Sequence, residues 1–285
     1  MLPATVGEAL DWAVRTLREA GVDSPRLTAE VLLAHILNLE RSRLIGRPDD
    51  ALSASDLQRY QSLALRRASG EPLQYLTGER EFYGLSFKVN PSVLIPRPET
   101  EFLVERALAF ARGRAVRFAD VGTGSGCIAV TLVCEQPQAR GWGTDISLEA
   151  LAVARENACR HGTGDRLGLA QCDLLDCFPK RQIFDLILSN PPYVSGPEMR
   201  RLSPMVREHE PGLALTGGET GLDVYRRLIP EAGARLTTNG FLMLEAGAGQ
   251  AAEVSSMIRQ ENLALVEIID DLQGIPRCIV AQRRH

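Results

Sequence analysis

The sequence predicts an α/β protein: a mostly parallel, doubly wound sheet with an antiparallel edge hairpin, preceded by a small N-terminal helical bundle. Three observations carry that prediction. Apolar residues recur at helical spacing as far as about residue 72, and from residue 116 onward short apolar strands alternate with helical stretches. The last two strands then follow one another with no helix between them. The expected organisation is a helical domain at 1–72, a β-hairpin linker at 73–95 and an α/β domain at 96–285.

Each element has a local reason. Thr5-Val-Gly-Glu8 has the form of a capping box, and Val6, Leu10, Val14 and Leu17 follow at helical spacing until Gly21. Ser24-Pro25 opens a second helix, with proline at its first position and Leu27, Val31, Leu32, Ile36 and Leu37 to one side. Ser53 or Ser55 opens a third, which runs to Gly70. Glu81 to Val89 alternates around Gly84 as a hairpin does. Val93 to Glu101 is extended and turns into a helix capped by Glu99 or Thr100. Strands are expected at 116–121, 140–145, 168–172, 184–189 and 240–246, then at 264–270 and 277–283. Helices are expected at 125–135, 147–161, 221–236 and 250–260. Residues 194–220, with Pro197, Pro204, Pro211 and Gly212, form a long loop expected to pack over the active site and touch the substrate.

Composition narrows the function. The chain has 285 residues, 45% of them hydrophobic and 24% charged, and a net charge of -4, so no global charge favours a nucleic-acid partner. Nearly all its positive charge is arginine, since Lys88 and Lys180 are the only lysines. The six cysteines form no C-x-x-C pair and do not cluster with the four histidines, which reads as free thiols in a reducing compartment without a metal site. No signal peptide or membrane-length apolar run is present, so a cytoplasmic location is expected.

Two motifs carry chemistry. In Phe118-Ala-Asp120-Val-Gly122-Thr123-Gly124-Ser125-Gly126 a strand passes through a glycine-rich turn into a helix, where glycine lets a cofactor approach the backbone. The third glycine follows the second by two residues instead of the three of dinucleotide enzymes. Asp120 suits a cofactor with a free α-amino group and repels a pyrophosphate. Asp145, beside Ile146 at the next strand end, can accept both ribose hydroxyls, and Asp173-Leu174 after the third strand can read an adenine amino group. The alternative for each acid alone is a helix cap or a turn residue.

Ser189-Asn190-Pro191-Pro192-Tyr193 follows the apolar strand 184–188. Asn-Pro-Pro is also common turn punctuation. Here, however, the Asn190 side-chain oxygen and the Asn190-Pro191 carbonyls can converge on an NH2 group, the prolines keep that backbone rigid, and Tyr193 offers a flat face. An amide nitrogen is a poor nucleophile, because its lone pair is delocalised. Acceptors that hold its two hydrogens stabilise the positive charge that develops during attack on a sulfonium-borne methyl, one such contact being worth about 3 kcal/mol. In-line positioning supplies on the order of 7–11 kcal/mol more. No strong general base is evident, and the proton is expected to leave late.

With these residues the chain resembles the protein-(glutamine-N5) methyltransferases of the HemK/PrmC type. The resemblance covers nearly the whole chain and includes Leu76 to Tyr83, Leu94 to Glu101, Asp120 to Gly126 and Asn190 to Tyr193, then Glu210-Pro211, Ala214-Leu215 and Gly217 to Leu222. It implies a Rossmann-like class I methyltransferase domain that uses S-adenosylmethionine and releases S-adenosylhomocysteine. It also implies an N-terminal domain that binds the substrate protein. The implied substrate is the glutamine of the Gly-Gly-Gln motif in peptide chain release factors, with Asn190 to Tyr193 holding the glutamine and Gly122 to Gly126 with Asp145 holding the cofactor. The expected protein is a monomer with no direct nucleic-acid or membrane partner. Arg97 has three readings: it orients loops through Glu99 or Glu101, touches the substrate, or belongs to a proline-stiffened helix start. Two rival functions are methylation of adenine in nucleic acid, which calls for a basic groove, and a non-catalytic cofactor-binding scaffold.

Overall fold

The computed structural model describes residues 5–284. The described residues divide into two compact units, one comprising residues 5–78 together with Ser203–His209, the other Glu79–Leu202 and residues 210–284.

The first unit is helical. Helix α1 (Val6–Glu19) starts at the expected capping box: the Thr5 hydroxyl accepts the Glu8 N–H, and the Glu8 carboxylate accepts that of Thr5. Its buried Val6, Leu10, Val14 and Leu17 pack with α2 (Pro25–Leu37) and α4 (Ala54–Ala68). The Tyr60 hydroxyl of α4, fully buried, donates to the Ala29 carbonyl at 3.1 Å, so this buried polar group keeps a partner. Sequence periodicity missed two short helices, α3 (Arg41–Ile45) and α5 (Leu73–Thr77). Each is only five residues long, too short for an apolar period to declare itself. Leu76 of α5 joins this core, so the segment expected as a linker at 73–95 is divided between the two units.

The remainder of that segment is the hairpin β1 (Glu79–Phe82) and β2 (Leu85–Lys88), whose turn residues Tyr83 and Gly84 both have positive φ. Phe82 and Phe87 are buried in the core of the second unit. Asn157 locks the hairpin in place: its amide oxygen accepts the Lys88 N–H at 2.7 Å, and its NH2 donates to the Lys88 and Ser125 carbonyls.

Helix α6 (Thr100–Ala111) leads into an alternation of β3 (Arg117–Val121), α7 (Cys127–Glu135), β4 (Arg140–Asp145), α8 (Leu148–Arg160), β5 (Leu167–Gln171) and β6 (Phe184–Ser189). The expected long loop then carries three short helices, α9 (Gly196–Met199), α10 (Pro204–His209) and α11 (Gly212–Leu215). The chain closes with α12 (Asp223–Arg235), β7 (Leu236–Glu245), α13 (Ala251–Gln260), β8 (Leu263–Asp270) and β9 (Pro276–Arg283). The seven strands are ordered β5-β4-β3-β6-β7-β9-β8, all pairs being parallel except the two that involve β9. Alternate residues of the central strands point to opposite faces. Phe118, Leu186 and Leu188 pack with α6 and α7, while Ala119, Ile187 and Leu242 pack with α12 and α13.

Glycines in the edge-side strands are matched to aromatic rings. A Cβ on Gly141 would sit 2.5 Å from the fully buried Phe118 ring, and one on Gly168 the same distance from the Trp142 ring, which is 43% exposed. Gly141→Ala is therefore expected to destabilise the protein by about 1–3 kcal/mol. Gly168→Ala should cost less, because Trp142 has room to turn. Urea unfolding of both variants checks the order, and an equal or reversed order would contradict it.

Candidate active site

Strands β3 and β6 lie side by side, and the chain leaves them in opposite lateral directions. The crevice at their carboxyl ends is thus the topological switch point of the sheet, where doubly wound proteins bind ligands. A cavity of about 450 Å³ opens there within the second unit. Its wall is formed by Gly122, Thr123, Gly124 and Ser125 after β3, Asp145 and Ile146 after β4, Asp173 and Leu174 after β5, and Asn190 and Pro192 after β6. Four separate stretches singled out in the sequence therefore meet around one cavity. Asp120, Gly126, Pro191 and Tyr193 adjoin these residues in the chain but are not themselves in the lining.

The glycine-rich turn is held by backbone bonds from Gly122 and Thr123 to the Thr144 carbonyl, and by the Gly124 N–H, which donates to Asp145 Oδ2 at 2.9 Å. Gly122 and Gly124 have φ of +72° and +54° with open space where a Cβ would stand, so the turn leaves room for a ligand. Asp145 Oδ1 accepts the Ser147 N–H at 3.0 Å, and the cap of α8 is the Ser147 hydroxyl, not Asp145. Each Asp145 oxygen thus keeps a second lone pair for a diol. Asp173 pairs with Arg227 at 2.7 Å, and the half-exposed Ile146 and the positive-φ Leu174 lie on the wall around it.

Asp120 is fully buried. Its Oδ2 accepts the Thr123 hydroxyl at 2.6 Å, while Oδ1 makes no hydrogen bond among the described residues. Burial pushes its carboxyl up to about 7, against the opposing pull of Thr123 and the nearby Ala129 amide. The Ser125 hydroxyl is likewise buried and unpartnered among the described residues. Two unsatisfied polar atoms beside a glycine turn, a carboxylate with free lone pairs and an apolar-flanked acid fit a ligand that carries an ammonium group, a diol and a planar base.

At the end of β6 the Ser189 hydroxyl donates to the Val121 carbonyl at 2.7 Å, tying the two central strands together just below the cavity. The Asn190 NH2 donates to the Thr100 hydroxyl at 3.1 Å, and that hydroxyl donates to Glu245 Oε2 at 2.6 Å. Burial pushes the Glu245 carboxyl up to about 7, with Thr100 and Arg277 opposing. The Tyr193 phenol lies 3.5 Å from the other Glu245 oxygen, and burial, reinforced by Glu245, pushes it up to about 12. Thr100 and Glu245, which the structure joins to Asn190, are not candidates that the sequence singles out. The available signal was a carboxylate ending the otherwise apolar run Phe241-Leu-Met-Leu; Thr100 carried none beyond a helix start.

Arg97 pairs with Glu210 at 2.5 Å and not with Glu99 or Glu101. Glu101 instead accepts the Tyr83 N–H, and Glu210 also accepts that of Ile95. This bond ties Pro211 and the segment behind it to the Ile95–Arg97 stretch, and Arg97 itself reaches the cavity wall. The long loop is split. Pro211, Leu213, Ala214 and Thr216 line the cavity, whereas Ser203–His209 belongs to the helical unit. The glycines of Gly217 to Leu222 are steric necessities: a Cβ on Gly217 would sit 2.8 Å from the Pro192 carbonyl, and one on Gly221 2.4 Å from that of Tyr193. The Gln250 side chain donates to the Tyr193 and Gly221 carbonyls and closes this staple.

Comparison with known proteins agrees with this anatomy. Residues 8–78 match the PrmC N-terminal domain, and residues 98–211 match the methyltransferase small domain. The release factor glutamine methyltransferase of Nitratidesulfovibrio vulgaris is 44% identical over 98% of this chain and 96% of its own length. That of Moorella thermoacetica is 44% identical over 99% of both chains. Among solved structures, the catalytic domain of hMettl16 in complex with a 3'UTR hairpin superposes with a TM-score of 0.56 at 16% identity, covering 83% of this chain and 85% of that one. The T. thermophilus 16S rRNA methyltransferase RsmC, bound to AdoMet and guanosine, gives 0.51 at 16% identity, covering 72% and 50%. These distant structures share the fold, and the close, full-length sequence relatives decide the family: the chain belongs to the release factor glutamine methyltransferases.

Proposed function

We propose that this protein transfers the methyl group of S-adenosylmethionine to the side-chain amide nitrogen of the glutamine in the Gly-Gly-Gln motif of peptide chain release factors. The observation that carries this reading is the Asn190 amide. Its NH2 is taken by Thr100, which leaves its carbonyl oxygen as an acceptor beside the cavity wall that the glycine turn and Asp145 share. Family membership supports the same reading.

Bound in the cavity, S-adenosylmethionine supplies an electrophilic methyl on its sulfonium. Asp145 would accept the ribose hydroxyls, Asp173 with Ile146 and Leu174 would surround the adenine, and Asp120 with Ser125 would attract the amino-acid end. Asn190 Oδ1 and the backbone carbonyl of Asn190-Pro191 accept the two amide hydrogens, so the nitrogen is oriented and its developing positive charge is stabilised. The prolines hold these acceptors without adding donors. Tyr193, neutral at physiological pH, serves as a planar contact and not as a base. As the nitrogen–methyl bond forms, the sulfur–methyl bond breaks and its electron pair returns to sulfur; the nitrogen, now acidic, then gives its proton to water. The helical unit, residues 1–72 as read from sequence and up to Gly78 in the compact unit, docks the release factor. The protein acts as a cytoplasmic monomer that needs neither nucleic acid nor membrane. The free cysteines fit that compartment, and among the described residues no helix is long and apolar enough to cross a membrane.

The deciding experiment is transfer of labelled methyl to a purified release factor, beside a copy whose Gly-Gly-Gln glutamine is alanine. Label on the first and none on the second is expected. Label on adenine-containing nucleic acid alone would replace this reading with the nucleic-acid one. Asn190→Asp is expected to lower kcat by about 100-fold, because it removes the donor to Thr100 and sets a second carboxylate near Glu245. Full turnover by that variant would contradict the assignment.

Asp120 generates a prediction with a sign. Burial pushes its folded-state carboxyl up to about 7 from the ordinary 3.8, so the stability it contributes is complete only below the unfolded value, is lost as pH rises through 7, and changes little above that. Asp120→Asn should therefore gain stability relative to the parent between pH 5 and pH 8, while binding S-adenosylmethionine at least about tenfold more weakly. Denaturant titrations at the two pH values and calorimetric binding check both parts. A variant equally stabilised at both pH values, or with unchanged affinity, would rule the assignment out.

A further inference from the structure

Three residues distant in sequence form one buried chain of hydrogen bonds. Thr100 begins α6, Glu245 ends β7 and Asn190 follows β6, and the bonds run Asn190 Nδ2 to Thr100 Oγ1 (3.1 Å) and Thr100 Oγ1 to Glu245 Oε2 (2.6 Å). Thr100 and Glu245 are each 2% exposed. A hydroxyl has a single proton. While Thr100 gives it to an ionised Glu245, only lone pairs face Asn190, and the amide must present its NH2 inward. Its carbonyl then takes the outward edge. With Glu245 protonated and donating, the Thr100 proton turns to Asn190, and the amide is satisfied by flipping. Its NH2 would then confront the NH2 of the methyl acceptor, donor against donor.

We propose that Thr100 and Glu245 are positioning residues: ionised Glu245, acting through the one proton of the Thr100 hydroxyl, locks the Asn190 amide in the orientation that accepts the substrate NH2. The inference deepens the assignment of Asn190 made above and rests on it. Glu245 is poised for such a role because burial pushes its carboxyl up to about 7. Arg277 of β9 favours the ionised form and Glu99, ahead of α6, opposes it. The phenol of Tyr193 sits 3.5 Å from Oε1, and that of Tyr225 on α12 is occupied by the Glu245 backbone carbonyl. The nearby thiols of Cys127 and Cys278 are pushed by burial to about 12 and stay neutral. Losing the proton near neutral pH therefore engages the lock, and regaining it releases the lock.

The test follows methyl transfer to a purified release factor across pH 5.5–9, at saturating S-adenosylmethionine and release factor. The parent should show kcat falling on the acid side with a midpoint near 7, as expected from the Glu245 carboxyl. Thr100→Val should lower the plateau by about 10–100-fold and abolish that acid limb, with cofactor affinity and the KM for release factor within about threefold. Thr100→Ser should restore both plateau and limb. Glu245→Gln, which cannot ionise, should show no limb, and it carries the test if the valine variant does not fold. A Thr100→Val protein with more than half the parental kcat, or with the acid limb intact, overturns the lock. Asn190→Ala separates the two levels: if it is inactive while Thr100→Val is fully active, only the lock fails. If Asn190→Ala itself turns over normally, the assignment of Asn190 fails and the lock with it.

Discussion

The parallel pairing of β3 with β6 at the centre of the sheet is the constraint on which the site depends. It is in register from Phe118 opposite Leu186 to Val121 opposite Ser189, and the Ser189 hydroxyl closes it on the Val121 carbonyl. Because the strands are parallel, both end at one edge, and the glycine turn after Val121 comes to stand beside Asn190. The strands are apolar on both faces and covered by helices on both, so a slip of one residue would move Phe118 and Leu188 out of one core and Ala119 and Ile187 out of the other. Register, and with it the distance between the glycine turn and Asn190, is thus set by the core side chains on the two faces.

The site also concentrates polar groups that burial disfavours. Asp120 and Glu245 are carboxylates almost without solvent, each held near 7 by desolvation, and Ser125 lacks a partner among the described residues. In isolation such groups cost stability, since a buried polar group loses its water and regains little. The two apolar cores on either side of the sheet offset this. Polarity that would be a defect elsewhere becomes a pre-organised environment once ligand groups supply the missing partners.

The motif Asn190 to Tyr193 is rigid for reasons beyond its prolines. Thr216 runs alongside Val194 in an isolated parallel bridge, Gly217 and Gly221 permit backbone contact, and Gln250 holds the Tyr193 carbonyl. The Arg97–Glu210 pair anchors the start of the same segment. One continuous stretch, 210–222, therefore braces Asn190 to Tyr193 from outside, while Thr100 and Glu245 hold the Asn190 amide from within. The glycines have no chemistry of their own here; what matters is that any Cβ would push the brace away.

Local signals in the sequence by themselves determined the strands, the long helices, the glycine turn and Asn190 to Tyr193. Each is encoded over a few neighbouring residues: a period of two or 3.6, a capping box, a turn that demands positive φ. The same locality makes Asp145 and Asn190 legible in the sequence as candidate site residues. Only the tertiary structure decided what joins them. Thr100 meets Glu245 across 145 positions of chain, Ile95 meets Glu210 across 115, and Ser203–His209 departs from its own loop to join the helical unit. No local pattern announces a partner that far away, because the bond depends on how α6, β6 and β7 stack and not on the spacing of residues within any of them. The orientation of the Asn190 amide is of this kind: its identity is written in one residue, and its direction in two others that folding alone brings beside it.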